Sequence, residues 1–368
     1  MKIILLMAGC LSLLGFPVSS HSFPIEEQRI TTDTEWRDLQ DNEVNRFKLH
    51  TNYFAYESVE KALSGDRKAS ENYLSLNGTW KFHYAETPDD RLKDFYISNL
   101  DDSSWKSMPV PGLWELHGYG DPVYVNVGFA WRGHFKNNPP LVPIKDNHVG
   151  SYRRIINIPD NWMGRQVIAH FGSVTSNIYL YVNGKYVGYA EDSKVAAEFD
   201  ITPFLKKGRN LIAFQVFRWC DGSYCEDQDF WRLSGVGRDC FLYARNKDVQ
   251  VSNLKVNTDL QNDYKDGVLS VDLDVKGNPI VDFDLLDANG VTVSKQTVNF
   301  KGLQHGNVQF NIQNVKKWTA ETPYLFTLLT TVKKGNKVVE VIPQRIGFKK
   351  VEIKNSQLLV NGQPIYIK

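Results

Sequence analysis

Cysteine is scarce in this chain, with four in 368 residues. Cys10 sits in an N-terminal apolar run, which leaves Cys220, Cys225 and Cys240. Cys-x4-Cys without a nearby histidine pair is a poor zinc signature. An exported chain can oxidise one pair, Cys220–Cys225 being nearest in sequence, but three free thiols is the preferred reading. Charge of one sign is lacking too: 43 basic against 42 acidic residues leave a net charge of +1. That balance offers nothing to nucleic acid or to an anionic membrane. Helical stripes of useful length are absent, and so are a G-x-S-x-G elbow, a phosphate-binding loop, H-E-x-x-H and paired Cys-x2-Cys. Gly118-Tyr-Gly120 lacks the strand–helix context of a dinucleotide fingerprint.

Long apolar runs are confined to the start. Met1-Lys2, the run Ile3–Leu14 and the small residues up to Ser20 read as a cleaved secretory signal over 1–20. Leu6-Met-Ala-Gly-Cys10 is a fainter lipoprotein pattern, since several apolar residues follow Cys10. The run falls short of the about 20 residues a spanning helix needs. A secreted or periplasmic protein without a membrane span is expected.

What the chain does contain is aromatic residues, 12% of the total with nine tryptophans, and many short alternating segments. Residues 21–70 are polar and low in pattern, with a short helix expected over Glu57–Leu63. From Tyr73 the texture changes to YLSLNGTWKFHYAET, and short strands bounded by Gly, Pro and Asn recur to Ala244. This predicts an all-β sandwich over 71–246, a jelly roll. From Lys247 a second run of strands predicts an immunoglobulin-like β-sandwich over 247–346 of about seven strands.

The most informative stretch is Ser176–Thr202, SNIYLYVNGKYVGYAEDSKVAAEFDIT. Ile178, Leu180 and Val182 alternate with Asn177, Tyr179 and Tyr181, the pattern of a half-buried strand. Asn183-Gly184 suits a type I′ turn, with Lys185–Tyr189 as the returning strand. Asp192 follows where that strand ends. A carboxylate on a rigid hairpin is placed to accept hydrogen bonds from ligand hydroxyls, although Asp also caps ordinary turns. A second stretch runs from MPVPGLWELHGYGDPVYVNVGFAW to NNPPLVPIKDNHVGSYRR, whose prolines force a long extended loop. Asn126 lies in it, and its amide can donate and accept toward a vicinal hydroxyl pair.

The run VNGKYVGYAEDSKVAAEFDIT closely resembles the sugar-binding domain of glycoside hydrolase family 2, specifically its β-galactosidases. L-N-G-x-W-x-F at the start of the sandwich, then W-x-x-x-G-Y, P-x-Y-x-N-V, N-P-P-x-V-P and G-x-Y, follow in the same order. In the second sandwich WTAETPYLF resembles the family's closing motif, with Phe326 in place of Tyr. The resemblance implies that Asn126 and Asp192 touch galactose, and that Asp192 also helps hold Na+ beside it. It further implies Mg2+ in a (β/α)8 barrel that supplies the acid/base and nucleophilic glutamates. Arg345-Ile-Gly-Phe348 and Leu358–Lys368 resemble the entry into that barrel, so 347–368 is expected to be its truncated start. Catalytic residues are therefore expected outside this chain. DQDFWRLSGVGRDCFL, despite Asp227, Asp229 and neighbouring Glu226, is expected to be a structural loop in which Trp231, Arg232 and Arg238-Asp239 pack and ion-pair.

The expected role is that of the N-terminal part of a secreted retaining β-galactosidase acting on terminal β-galactosides of an oligosaccharide or glycan. A non-catalytic carbohydrate-binding protein, a ligand-free structural sandwich, and a family 2 β-glucuronidase or β-mannosidase fragment are the alternatives. Oligomeric state stays open, a homo-oligomer included.

Overall fold

The structure, a computed structural model, describes residues 30–366. The expected signal over 1–20, with Cys10, lies outside the described residues.

Two β-sandwiches follow one another, both built from antiparallel pairs. In the first, a seven-stranded sheet runs in the order Glu43–Val44, Lys185–Ala190, Ile178–Val182, Gly208–Phe217, Val149–Ile158, Gly78–Ala85 and Lys106–Val110. It faces a four-stranded sheet of Ala197–Asp200, Gln166–Phe171, Cys240–Arg245 and Tyr73–Ser75. Between them lie Trp80, Phe82, Tyr152, Phe171, Leu180 and Phe214, all buried. Leu76 and Asn77 separate Tyr73–Ser75 from Gly78–Ala85, so the chain changes sheet there.

The strand expected to be half-buried is buried along its whole length. Ile178, Leu180 and Val182 point into the sandwich, while Tyr179 and Tyr181 join a second core on the outer face with Trp36, Phe95, Trp131 and Trp219. Segments far away in sequence cover that face, and alternation between aliphatic and aromatic residues cannot show it. Tyrosine tolerates this burial because its hydroxyl finds a partner. The Tyr179 hydroxyl accepts from Trp36 N at 3.1 Å and donates to Glu35 at 3.1 Å.

The second sandwich has seven strands. Gln250–Gln261, Asp266–Lys276 and His305–Ile312 form one sheet, and Thr292–Asn299, Ile280–Leu286, Phe326–Lys334 and Lys337–Ile346 the other. Leu269, Leu273, Phe283, Phe310 and Leu328 fill its core. Phe326, the departure from the family motif, is buried edge-on to Phe348 at 5.2 Å.

Residues before 73 belong to both sandwiches. Glu43–Val44 pairs with Lys185–Ala190 at the sheet edge, and Tyr56 bridges to Val341. The short helix is Val59–Ser64, capped by the Ser58 side chain accepting from Lys61 N. Beside this crossing a buried ion pair joins the sandwiches: Arg245 Nη2 donates to both Glu340 oxygens at 2.8 and 2.9 Å, and to Val251 O at 2.7 Å. Val351–Lys354, Gln357–Val360 and Gln363–Pro364 form a three-stranded antiparallel sheet of their own after the second sandwich.

Candidate functional site

The Ile178–Val182 and Lys185–Ala190 hairpin carries the site. Asn183 and Gly184 turn it with φ of 52° and 82°. Asn183 also fixes the turn to the rest of the sheet, accepting from Leu211 N at 3.0 Å and donating to Phe204 O at 2.8 Å. At the far end, Glu191 N donates to Asn42 O at 3.1 Å. Ser193 is held on three sides: its N–H donates to Glu226 Oε1 at 2.6 Å, its hydroxyl to Glu226 Oε2 at 2.5 Å, and its carbonyl accepts from Ser173 at 2.6 Å.

Between these anchored neighbours stands Asp192, with a left-handed φ of 82°. Asp adopts that region more readily than most side chains, at a cost its fixed neighbours must offset. Its half-buried carboxylate has no hydrogen-bond partner among the described residues, and it lines a cavity of about 510 Å³. Arg218, Trp219, Glu226, Phe230 and Trp231 also line that cavity. Asn126 is exposed and follows Val125, the end of a strand paired with Phe230–Arg232. Val125 faces Phe230 in the ladder, so Asn126 stands one residue beyond a wall of the Asp192 cavity.

The other carboxylates at the cavity are engaged. Glu226 holds Ser193, Asp227 pairs with Arg232, and Asp229 accepts from the Tyr124 hydroxyl at 2.5 Å. Asp239 pairs with Arg67 at 2.9 Å, while Arg238 donates to Lys194 O at 2.6 Å rather than to a carboxylate. The expectation that Trp231 packs inside the loop is corrected: it is 50% exposed, edge-on to Tyr124 at 5.4 Å. Both rings sit on a two-stranded ribbon and stay about half exposed, so neither is enclosed. All three described cysteines are free, Cys220 and Cys240 buried and Cys225 exposed.

Two arrangements were illegible in the sequence. Glu191 is buried, accepting from the Tyr189 hydroxyl at 2.5 Å and Gly222 N at 3.1 Å. Burial, and then the Asp221 carboxyl beside it, push its pKa up to about 9. Glu198 lies between His50 at 2.9 Å and His170 at 2.7 Å. Burial works to raise its pKa, but the hydrogen bonds from His170 and His50 outweigh this and hold it at about 2. These groups line a separate cavity of about 870 Å³ roofed by residues 47–54. Nothing in the low-pattern segment around His50 announces a partner in a distant strand.

Comparison with known proteins gives these features a family. The glycosyl hydrolases family 2 sugar binding domain matches residues 73–246, and a further glycosyl hydrolases family 2 domain matches 249–349. The chain belongs to glycoside hydrolase family 2. Curated β-galactosidases from Priestia megaterium and Streptococcus thermophilus are each 38% identical to it. They align with 89% and 88% of this family 2 chain but with 33% and 32% of their own length. The chain thus spans about a third of the relatives it matches. Among solved structures, a Bifidobacterium dentium β-glucuronidase superposes with a TM-score of 0.65 at 19% identity, covering 81% of this chain and 52% of that one. A Bacteroides vulgatus β-glycosidase does so with 0.64 at 22%, covering 80% and 36%. At such identities the likeness is one of fold.

Proposed function

We propose that this chain is the galactose-recognising part of a secreted, retaining β-galactosidase, with Asp192 and Asn126 forming the outer wall of the sugar subsite. The observation that carries the reading is the Asp192 carboxylate: rigidly mounted, half-buried, and lining a cavity without a hydrogen-bond partner among the described residues. A carboxylate so placed accepts from two sugar hydroxyls without first breaking a bond of its own. A sugar lacking those hydroxyls then leaves it unpaired, which is how such contacts discriminate. Asn126, at the end of an exposed ribbon, would close on the same hydroxyl edge as donor and acceptor.

The Na+ implied for this position suits the donor: an unpaired carboxylate oxygen is a hard ligand, and Asp192 would supply one of several. When bound, the ion would add a fixed positive charge beside the sugar hydroxyls. Glu226, Asp227 and Asp229 are committed to Ser193, Arg232 and Tyr124, which supports a catalytic pair supplied from elsewhere in the enzyme. Such a pair would act through a covalent glycosyl-enzyme.

The test joins this chain to the remainder of its enzyme and measures hydrolysis of a chromogenic β-galactoside. Asp192→Ala should abolish turnover while leaving the fold intact by circular dichroism. Wild-type turnover by that variant would remove Asp192 from the subsite. A non-catalytic binding role would show instead as sugar affinity by the chain with no gain of hydrolysis in the joined protein.

A further inference from the structure

Beneath the Asp192 loop, Glu191, Cys220 and Asp221 converge from the hairpin end and from the turn Asp221–Tyr224 that follows Gly208–Phe217. One carboxylate oxygen from each acid and the Cys220 Sγ lie within 4.8 Å of one another, and all three residues are buried. Asp221 is 4% exposed, and its Oδ1 has no hydrogen-bond partner among the described residues. No lysine, arginine or histidine forms an ion pair with any of the three among the described residues.

Two carboxyl groups facing each other in an interior repel unless something positive lies between them. A shared proton would serve the acids alone. The third donor here is a thiol sulfur, and thiolate with carboxylate is a ligand set that zinc accepts. Glu191 is also held as metal ligands are, by hydrogen bonds outside the cluster from the Tyr189 hydroxyl and Gly222 N. The second of these depends on glycine, since a Cβ at Gly222 would meet Glu191 Oε2 at 2.5 Å. Ser176 O, 3.7 Å from Sγ, stands beside the cluster as a further oxygen.

We propose that Glu191, Cys220 and Asp221 form a binding site for a zinc-class divalent cation that pins the turn after Cys220 to the end of the hairpin carrying Asp192. Binding releases the thiol proton, together with any proton held between the carboxyls, to solvent, so uptake weakens as pH falls.

The full chain, stripped with a chelator and dialysed against micromolar zinc, should retain one equivalent by elemental analysis. Saturation should raise its melting temperature by roughly 5 °C. Cobalt in place of zinc should give a thiolate-to-metal charge-transfer band in the near ultraviolet. Cys220→Ser and Asp221→Asn should each lose the metal, while Cys225→Ser, which removes the exposed thiol, should keep both metal and band. Failure of the wild type to retain zinc overturns the proposal, and so does a metal or a band that disappears with Cys225→Ser. Should the buried variants not fold, the cobalt spectra of wild type and Cys225→Ser decide alone, absence of the band in Cys225→Ser overturning the site.

Discussion

Ile178–Val182 in the first sandwich and Thr292–Asn299 in the second both alternate along the chain, yet they end in opposite surroundings. The former is buried at all five positions; the latter is exposed or half-buried at all eight. Each strand turns one face to its own sandwich. What differs most is the outer face, although the inward side chains of Thr292–Asn299 are themselves only half-buried. Trp36, from the short 3-10 helix Glu35–Arg37, and Phe95 and Trp131, from two loops, close over Tyr179 and Tyr181, whereas Thr292–Asn299 is an edge strand whose outer face stays exposed among the described residues. A sheet covered on both faces is a rigid mount, because displacing any of its strands disturbs two cores at once. Asp192 is fixed to that mount, and it lines a cavity of about 510 Å³ beside it.

The sharpest way to break this comparison is to remove one core side chain from the doubly covered strand. Leu180→Ala should cost about 4 kcal/mol in urea unfolding, the upper range for a site that cannot collapse. A loss below about 1 kcal/mol would show a sheet far softer than described. Next in size is the joint between the regions. Arg245→Met leaves Glu340 buried without its partner and should destabilise by about 3 kcal/mol, with much of that recovered in Arg245→Met/Glu340→Leu. Equal losses in the single and double variants would mean that packing, not charge, holds the joint.

A smaller effect concerns the segment that roofs the first sandwich. The Glu198 hydrogen bond is the largest influence on His50, and it raises the His50 pKa against the opposing pull of burial. Its stabilisation is therefore complete below the ordinary value of 6.5 and is lost as pH rises through the elevated value. Glu198 works in the other direction: its contribution is present above 4.5 and fades as pH falls toward about 2. Amides of residues 47–54 should accordingly be best protected from hydrogen exchange between about pH 4.5 and 6.5. In His50→Gln the alkaline decline should vanish and the acid one remain. Smallest of all, Val293→Ala on the uncovered strand should change stability by no more than about 0.5 kcal/mol. A larger loss would mean that this face is covered by something the chain meets in solution.

Much of the fold was legible because it rests on local rules. Asn183-Gly184 needs positive φ at both positions, and the hairpin followed from that requirement. Alternation located the strands of both sandwiches, and the family motifs pointed to Asp192 and Asn126. The half-burial expected of Ile178–Val182 failed because its outer cover comes from Trp36, Phe95 and Trp131. The packing expected of Trp231 failed because a two-stranded ribbon leaves its tryptophan half exposed.

By itself, then, the sequence determined the strands, their turns and the family, since each depends on neighbours along the chain. Only the tertiary structure decided that residues 35–56 bind both sandwiches, that Glu198 sits between two histidines, and that Glu191 meets Cys220 and Asp221 in the interior. Those meetings join groups far apart in the chain, where no local propensity acts and the environment of a side chain is set by whatever the fold folds over it.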